Sequence, residues 1–181
     1  MLLIVPKTHI VVQRLTTMIV LAATLLSMTA LAHASEPDRA IETVIRGELT
    51  LGMAQRARQN GGVIRVTNSP GGTGAAAMEL AHARVIIDGP CNSACAWSFV
   101  TNQNACFTRK ASFGFLAAHD PGTGRRMDAA TGYWLDQTRD SLRRQLGDLT
   151  SSSRVIKLNS VEMARHYGDR ACSRNAAVSS R

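Results

Sequence analysis

Apolar runs alternate with helix-like runs along the first two thirds of the chain. Apolar and β-branched stretches predict strands at residues 43–45, 63–67, 85–87, 105–107 and 112–116. Helices are predicted at residues 49–59 from apolar residues four apart, at 74–83 from an alanine-rich composition, and at 93–100 from small residues followed by apolar ones. Strands and helices in this alternation predict an α/β domain with a mainly parallel sheet.

The last third of the chain reads as mostly helical. A stripe of Trp134 or Leu135, Thr138, Leu142, Leu146 and Leu149 predicts one long helix over residues 128–149. We expect this helix to pack on the body or on a partner. A short helix at 160–167 follows, with Ser160 as a candidate cap, and residues 173–181 form a polar tail that we expect to be flexible.

The first 34 residues have the pattern of a secretory signal peptide. Lys7 and Arg14 precede an apolar run at residues 18–31, and Ala32, His33 and Ala34 form a small-x-small cleavage site. The apolar run is short for a spanning helix, so the mature form should have no stable membrane span, with an uncleaved anchor as the alternative. The sequence therefore predicts an exported protein, periplasmic or secreted.

The charge pattern argues against nucleic-acid binding. Removing Lys7 and Arg14 lowers the net charge from +8 to about +6, and the arginines are scattered rather than interleaved with aromatic residues. Solvated faces explain this charge. The roughly 147 mature residues are enough for one domain, which we place at 35–172.

Four cysteines, Cys91, Cys95, Cys106 and Cys172, lie in the mature part. An even count in an exported chain favours disulfides, and three pairings are open. A bridge from Cys91 or Cys95 to Cys106 or Cys172 would stiffen the intervening turn, whereas pairing Cys91 with Cys95 would strain a helical turn. A metal or redox site at Cys91 and Cys95 fits poorly, because the spacing is not Cys-x-x-Cys and no nearby Cys/His pair completes a zinc set. We expect no cofactor and no metal.

A glycine-rich turn links the strand at 63–67 to the helix after it. In Asn-Ser-Pro-Gly-Gly at 68–72, the N–H groups of Gly71 and Gly72 lie beside a helix N-terminus, where negative oxygen is stabilised. A plain turn is the alternative. The N–H of Ala94 is a third candidate donor for an oxyanion.

Ser93 and His119 are the candidate catalytic pair. Ser93 follows a buried strand and begins a helix, and His119 begins a loop after the strand at 112–116. Taken alone, Ser93 is more typical of a helix N-cap, and His119 is more typical of a surface loop residue. We expect His82 and His166 to be structural.

The ordered set of these motifs resembles the Clp protease catalytic subunit and signal peptide peptidase A group of the ClpP/crotonase superfamily. It is most similar to exported ClpP-like proteins that carry a Cys-x-Ser-Ala-Cys segment. The likeness covers about residues 44–168, with supporting matches at 45–50 and 160–168. It implies a spiral of β-β-α units, a homo-oligomer and a peptide or protein substrate. It also implies Ser93 as nucleophile, His119 as base, and Gly71, Gly72 and Ala94 as the oxyanion hole.

The chain departs from this family in two ways that bear on activity. The stretch from Gly72 to Ser93 is short, so substrate specificity does not carry over. The family's acidic residue falls on Ile156, and Asp148, Asp169 or Asp120 would have to replace it. The leading hypothesis is an exported serine peptidase with a Ser-His site. The alternative is a catalytically inactive ClpP-like module that binds peptides or assembles with partners.

Overall fold

The computed structural model describes residues 42–147 and 149–173, so the predicted signal peptide and residues 174–181 lie outside this range. The strands are β1 (Glu42–Arg46), β2 (Val63–Asn68), β3 (Arg84–Ile87), β4 (Pro90–Asn92), β5 (Ala105–Phe107), β6 (Ser112–Phe115) and β7 (Ile156–Asn159). The helices are α1 (Leu51–Gln59), α2 (Gly74–Leu80), α3 (Ala94–Thr101), α4 (Asp128–Asp136), α5 (Asp140–Leu146) and α6 (Ser160–Tyr167), followed by a 3₁₀ turn, Gly168–Arg170.

Two sheets form the body. The first has the order β1-β2-β3-β5, and every pair in it is parallel. In the second, β4 pairs with β6 in parallel and β6 with β7 antiparallel. A single bridge between Ser69 and Cys91 connects the end of β2 to β4. The predicted α/β class with a mainly parallel sheet is confirmed.

Aromatic side chains fill the core between the sheets and α3. Phe99 lies 4.9 Å from Phe113 and 5.7 Å from both Phe107 and Tyr167, measured between ring centroids. Every residue of α3 from Ala94 to Val100 is buried. Because α3 begins directly after Ser93, the position of that serine is fixed by the best-packed helix of the described chain.

The predicted long helix at 128–149 is wrong, because the structure breaks it into α4 and α5. The Thr138 hydroxyl donates to the Leu135 carbonyl at 2.7 Å and closes the last turn of α4. Arg139 is extended, with φ −60° and ψ 143°. Leu142, Leu146 and Leu149 of the predicted stripe are buried in the protein's own core.

Two short strands were not predicted from the sequence. β4 has three residues and begins with proline, and β7 has four residues. Both pair with β6, which is distant from β7 in the sequence. Helix α1 begins at Leu51 rather than at residue 49, since the Thr50 hydroxyl caps it by accepting from the Met53 N–H at 3.3 Å.

Residues 168–172, here called the C-terminal strap, are fastened to β5 and to the end of α3. Arg170 donates to the carbonyls of Phe99 and Asn102, and its guanidinium lies 3.9 Å from the Phe99 ring centroid. The strap pairs with β5 through a bridge between Ala171 and Phe107, and a disulfide joins Cys172 to Cys106. A cation at these carbonyls complements the negative end of α3.

Among the described residues, none of the helices combines the length and apolar character needed to cross a membrane.

Candidate active site

Ser93 stands at a sharp strand-to-helix turn between β4 and α3. Its φ is 51° and its ψ is −125°, and among the described residues it is the only one other than glycine with a positive φ. The Ser93 N–H donates to the Gly114 carbonyl at 2.8 Å, and the Ser93 carbonyl accepts from the Trp97 N–H at 3.0 Å. A backbone in this region costs about 1–3 kcal/mol and persists only where neighbours hold it, as at functional turns.

A disulfide brackets this turn. Cys91 on β4 is bonded to Cys95 in the first turn of α3, with 5.2 Å between their Cα atoms, and both residues are fully buried. The expected strain of a helical pairing does not apply, because Cys91 is extended and the chain reverses at Ser93. The other bridge joins Cys106 to Cys172, so neither disulfide links the turn to a distant cysteine. All four cysteines are therefore held in disulfides.

Gly71 packs directly against Ser93, and Gly72 packs against the Leu49 backbone. The φ angles of Gly71 and Gly72 are 128° and 154°, which L side chains rarely adopt. A methyl group at position 71 would lie 2.6 Å from the Ser93 Cβ, and one at position 72 would lie 2.0 Å from the Leu49 carbonyl oxygen. The structure thus brings together the glycine turn and the serine that were paired from the sequence.

The three predicted oxyanion donors differ in their present partners. The Gly71 N–H donates to the Ser69 hydroxyl at 3.2 Å. Within residues 42–147 and 149–173, no acceptor is recorded for the N–H groups of Gly72 or Ala94. Ala94 is the first residue of α3, where N–H groups lack partners in the helix and the dipole is positive. Of the three predicted donors, Gly71 is therefore the one with an acceptor among the described residues.

His119 lies on a hairpin-like loop that follows β6. An antiparallel bridge pairs His119 with Arg126, and the Met127 N–H donates to the Ala118 carbonyl at 2.8 Å. The loop base contacts α3, because the Trp97 indole N–H donates to the Leu116 carbonyl at 3.2 Å. The His119 side chain is exposed. In the described part of the chain, no hydrogen bond joins its ring to the Ser93 hydroxyl or to a carboxylate.

The candidate acids have other partners. Asp120 accepts from the Thr123 N–H at 2.8 Å and from the Thr123 hydroxyl, which lowers the pKa of Asp120 and ties it to its own turn. Asp169 pairs with Arg139 at 2.6 Å, and this hydrogen bond lowers the pKa of Asp169. Ile156 is the β7 partner of Phe115, and Asp148 lies outside the described residues.

Sequence reasoning missed two residues that hold the turn. The Asn92 amide donates to the Ser69 carbonyl at 3.3 Å, and a methyl group at Gly114 would lie 2.2 Å from the Asn92 Oδ1. Ser69 is fully buried, and its hydroxyl accepts from the Gly71 N–H and donates to the Gly71 carbonyl. Both residues stand within the quoted motifs, but their partners are distant in sequence, so only the fold reveals their role.

Comparison with known proteins adds one observation on the fold. Neither a known family model nor a curated protein sequence matches the chain. Several solved structures are similar in fold. One of them is a serine-to-alanine mutant of the 1510-N membrane-bound stomatin-specific protease, with 14% identity and a TM-score of 0.47 over 69% of this chain and 74% of that chain. At this level of likeness the comparison says nothing about the site.

Proposed function

We propose that the protein is a serine hydrolase, more specifically a peptidase, with Ser93 as its nucleophile. The observation that carries the proposal is the backbone of Ser93, strained at a strand-to-helix turn and packed against Gly71. Nucleophilic serines occupy such turns because the hydroxyl is exposed at the start of a helix, next to N–H groups that can bind the oxyanion. The resemblance of the ordered motifs to ClpP-like peptidases supports the same assignment.

The proposed reaction uses five residues. The Ser93 Oγ attacks the peptide carbonyl carbon while its proton passes to the His119 ring. The tetrahedral oxygen accepts from the N–H groups of Gly72 and Ala94, with Gly71 giving the close approach. The C–N bond then breaks as His119 returns the proton to the leaving amine, and water hydrolyses the acyl-serine. This scheme requires the loop of His119 to bring the ring to Ser93 when substrate binds.

Labelling with a fluorophosphonate tests the nucleophile directly. We expect one adduct that maps to Ser93 by peptide mass spectrometry and is lost in Ser93→Ala. Ser153→Ala is the matched control, because Ser153 is an exposed serine outside the site and its loss should leave the Ser93 adduct intact. His119→Ala should slow labelling by roughly 100-fold or more, the usual contribution of a general base. An unlabelled Ser93 in folded protein, beside a labelled reference hydrolase, contradicts the proposal.

A second candidate function is a catalytically inactive module that binds peptides. The observation in its favour is that, among the described residues, His119 has no hydrogen bond to Ser93 and no carboxylate partner. Loss of the group that orients the histidine costs orders of magnitude in rate. Peptide binding that is equal in the parent and in Ser93→Ala, with no turnover by either, would favour this function over hydrolysis.

We also propose export and self-assembly. Two disulfides within the described residues are typical of an oxidising compartment and support export. N-terminal sequencing of the protein from the periplasm or medium should begin at Ser35, whereas an uncleaved anchor would leave residue 1 in place. Light scattering after size exclusion should give a homo-oligomer, and a strict monomer at high concentration would contradict assembly.

A further inference from the structure

Helices α5 and α6 are fastened together at one end, away from the Ser93 turn in sequence. The Arg139 N–H donates to the Tyr167 hydroxyl at 3.0 Å, and its guanidinium donates to the His166 carbonyl at 2.8 Å. The same guanidinium pairs with Asp169 and lies 4.5 Å from the Tyr167 ring centroid. These contacts fix the start of α5 against the last turn of α6.

This contact holds a serine, a histidine and a glutamine in one hydrogen-bonded row. Ser141 and Gln145 are four residues apart on α5, so they share a face. The His166 Nδ1 lies 3.0 Å from the Ser141 Oγ, and its Nε2 lies 2.6 Å from the Gln145 Oε1. Because an amide oxygen can only accept, the Nε2 carries the ring proton in the neutral form and the Nδ1 is free to accept from the hydroxyl.

We propose that Ser141 is a second nucleophilic serine of this protein, acylated by activated esters with His166 as its general base and Gln145 as the residue that orients the base. The arrangement is that of an activated nucleophile, a base within reach and a third group that holds the base. It does not involve Ser93 or His119, so it stands apart from the function proposed above.

The groups around His166 favour its neutral imidazole and the negatively charged tetrahedral oxygen of the proposed reaction. Burial, and after it the positive charge of Arg165, lowers the pKa of His166, so the imidazole is neutral at neutral pH and able to take a proton. The same positive potential favours a negatively charged tetrahedral oxygen near the ring. The nearest acid on α5, Asp140, is paired with Arg143, which offsets its negative charge.

The reaction with p-nitrophenyl acetate shows the step in full. The Ser141 Oγ bonds to the carbonyl carbon, the C–O bond to p-nitrophenolate breaks, and the hydroxyl proton moves to the His166 Nδ1 and then to solvent. The products are acetyl-Ser141 and p-nitrophenolate. No oxidant or reductant is required.

The test uses the full chain carrying Ser93→Ala, so that the first proposed nucleophile cannot contribute. We expect p-nitrophenyl acetate to acetylate Ser141 faster than the exposed reference serine, Ser153, as followed by digestion and mass spectrometry. His166→Gln should slow acetylation of Ser141 by roughly 100-fold. Gln145→Glu should accelerate it, because a carboxylate stabilises the imidazolium that forms.

The outcomes separate this proposal from the first one. Acetylation of Ser141 in the Ser93→Ala protein supports the second site whether or not a fluorophosphonate labels Ser93 in the parent, so the two proposals succeed or fail separately. Acetylation of Ser141 at the rate of Ser153, or at a rate unchanged by both His166→Gln and Gln145→Glu in variants with parental unfolding midpoints, overturns the proposal. If His166→Gln fails to fold, Gln145→Glu decides alone, since Gln145 is exposed and a structural role predicts no acceleration.

Discussion

Substituting alanine for Gly71 tests whether the glycine pair supports the Ser93 turn. The new methyl group would lie 2.6 Å from the Ser93 Cβ and 3.2 Å from both the Ser93 Oγ and the Asn92 carbonyl oxygen. Ordinary contact needs about 3.4 Å or more, so the turn must shift by close to 1 Å. Strained backbone costs about 1–3 kcal/mol, and overpacking costs about 1–3 kcal/mol more. We therefore expect Gly71→Ala to lower the free energy of unfolding by about 2–6 kcal/mol.

Gly47→Ala is the matched control for the backbone part of this cost. Gly47 also has a positive φ, 108°, but a methyl group there would meet no atom within 4 Å. Gly47→Ala should lower the free energy of unfolding by the backbone strain alone, about 1–3 kcal/mol, and leave the Ser93 turn intact. The difference between the two variants isolates the collision with Ser93.

Urea unfolding and fluorophosphonate labelling of both variants measure the two effects. A shift of about 1 Å at a reacting atom can lower the rate by roughly 100-fold. Gly71→Ala should therefore label Ser93 far more slowly than Gly47→Ala when both are folded. Equal stability and equal labelling in the two variants would refute the argument that the glycine at 71 is required by Ser93.

Three further predictions concern the turn, the disulfides and the α5/α6 contact. Gly114→Ala should destabilise the protein by about 1–3 kcal/mol in urea unfolding, because its methyl group would lie 2.2 Å from the Asn92 Oδ1; unchanged stability would show that Asn92 is free to move. Replacing both cysteines of the Cys106–Cys172 bridge should lower the free energy of unfolding by about 4 kcal/mol, and replacing both cysteines of the Cys91–Cys95 bridge should lower it by about 2 kcal/mol. The difference arises because the first bridge closes a far longer loop than the second. The opposite order in urea unfolding would contradict this reasoning. Burial lowers the pKa of His166 in the folded state. The contribution of His166 to stability is therefore fully present above the unfolded pKa, about 6.5, and is lost as the pH falls. The unfolding free energies of the parent and His166→Gln, measured at several pH values, should converge toward low pH, and parallel curves would argue against this pKa shift.

The fold class could be predicted because it rests on local patterns. Strand residues 63–67 and the turn at 68–72 follow from composition and glycine chemistry. The meeting of that turn with Ser93 was expected from the family resemblance, because Ser93 lies well beyond the turn in the sequence, and Gly71 is found against Ser93.

The misses have a common cause in contacts between distant segments. The apolar stripe over 128–149 continues without a visible stop, yet Arg139 is drawn out of the helix by Tyr167 and Asp169. The strand β4 is too short for a periodic signal and exists because β6 pairs with it. Because β4 was not predicted, a bond between Cys91 and Cys95 was expected to strain a helical turn. The role of His119 stays a prediction.

The C-terminal strap supplies contacts to β5 and α3 from the last described residues of the chain. The outer edge of β5 finds its partner in residues 168–172, which follow all the named strands and helices, and Arg170 adds side-chain hydrogen bonds to the last carbonyls of α3. A chain that ends at β7 therefore lacks the partner of that sheet edge and the cation at the end of α3. A chain truncated in this way should hold the helix that begins after Ser93 less firmly, because these contacts at its far end are missing.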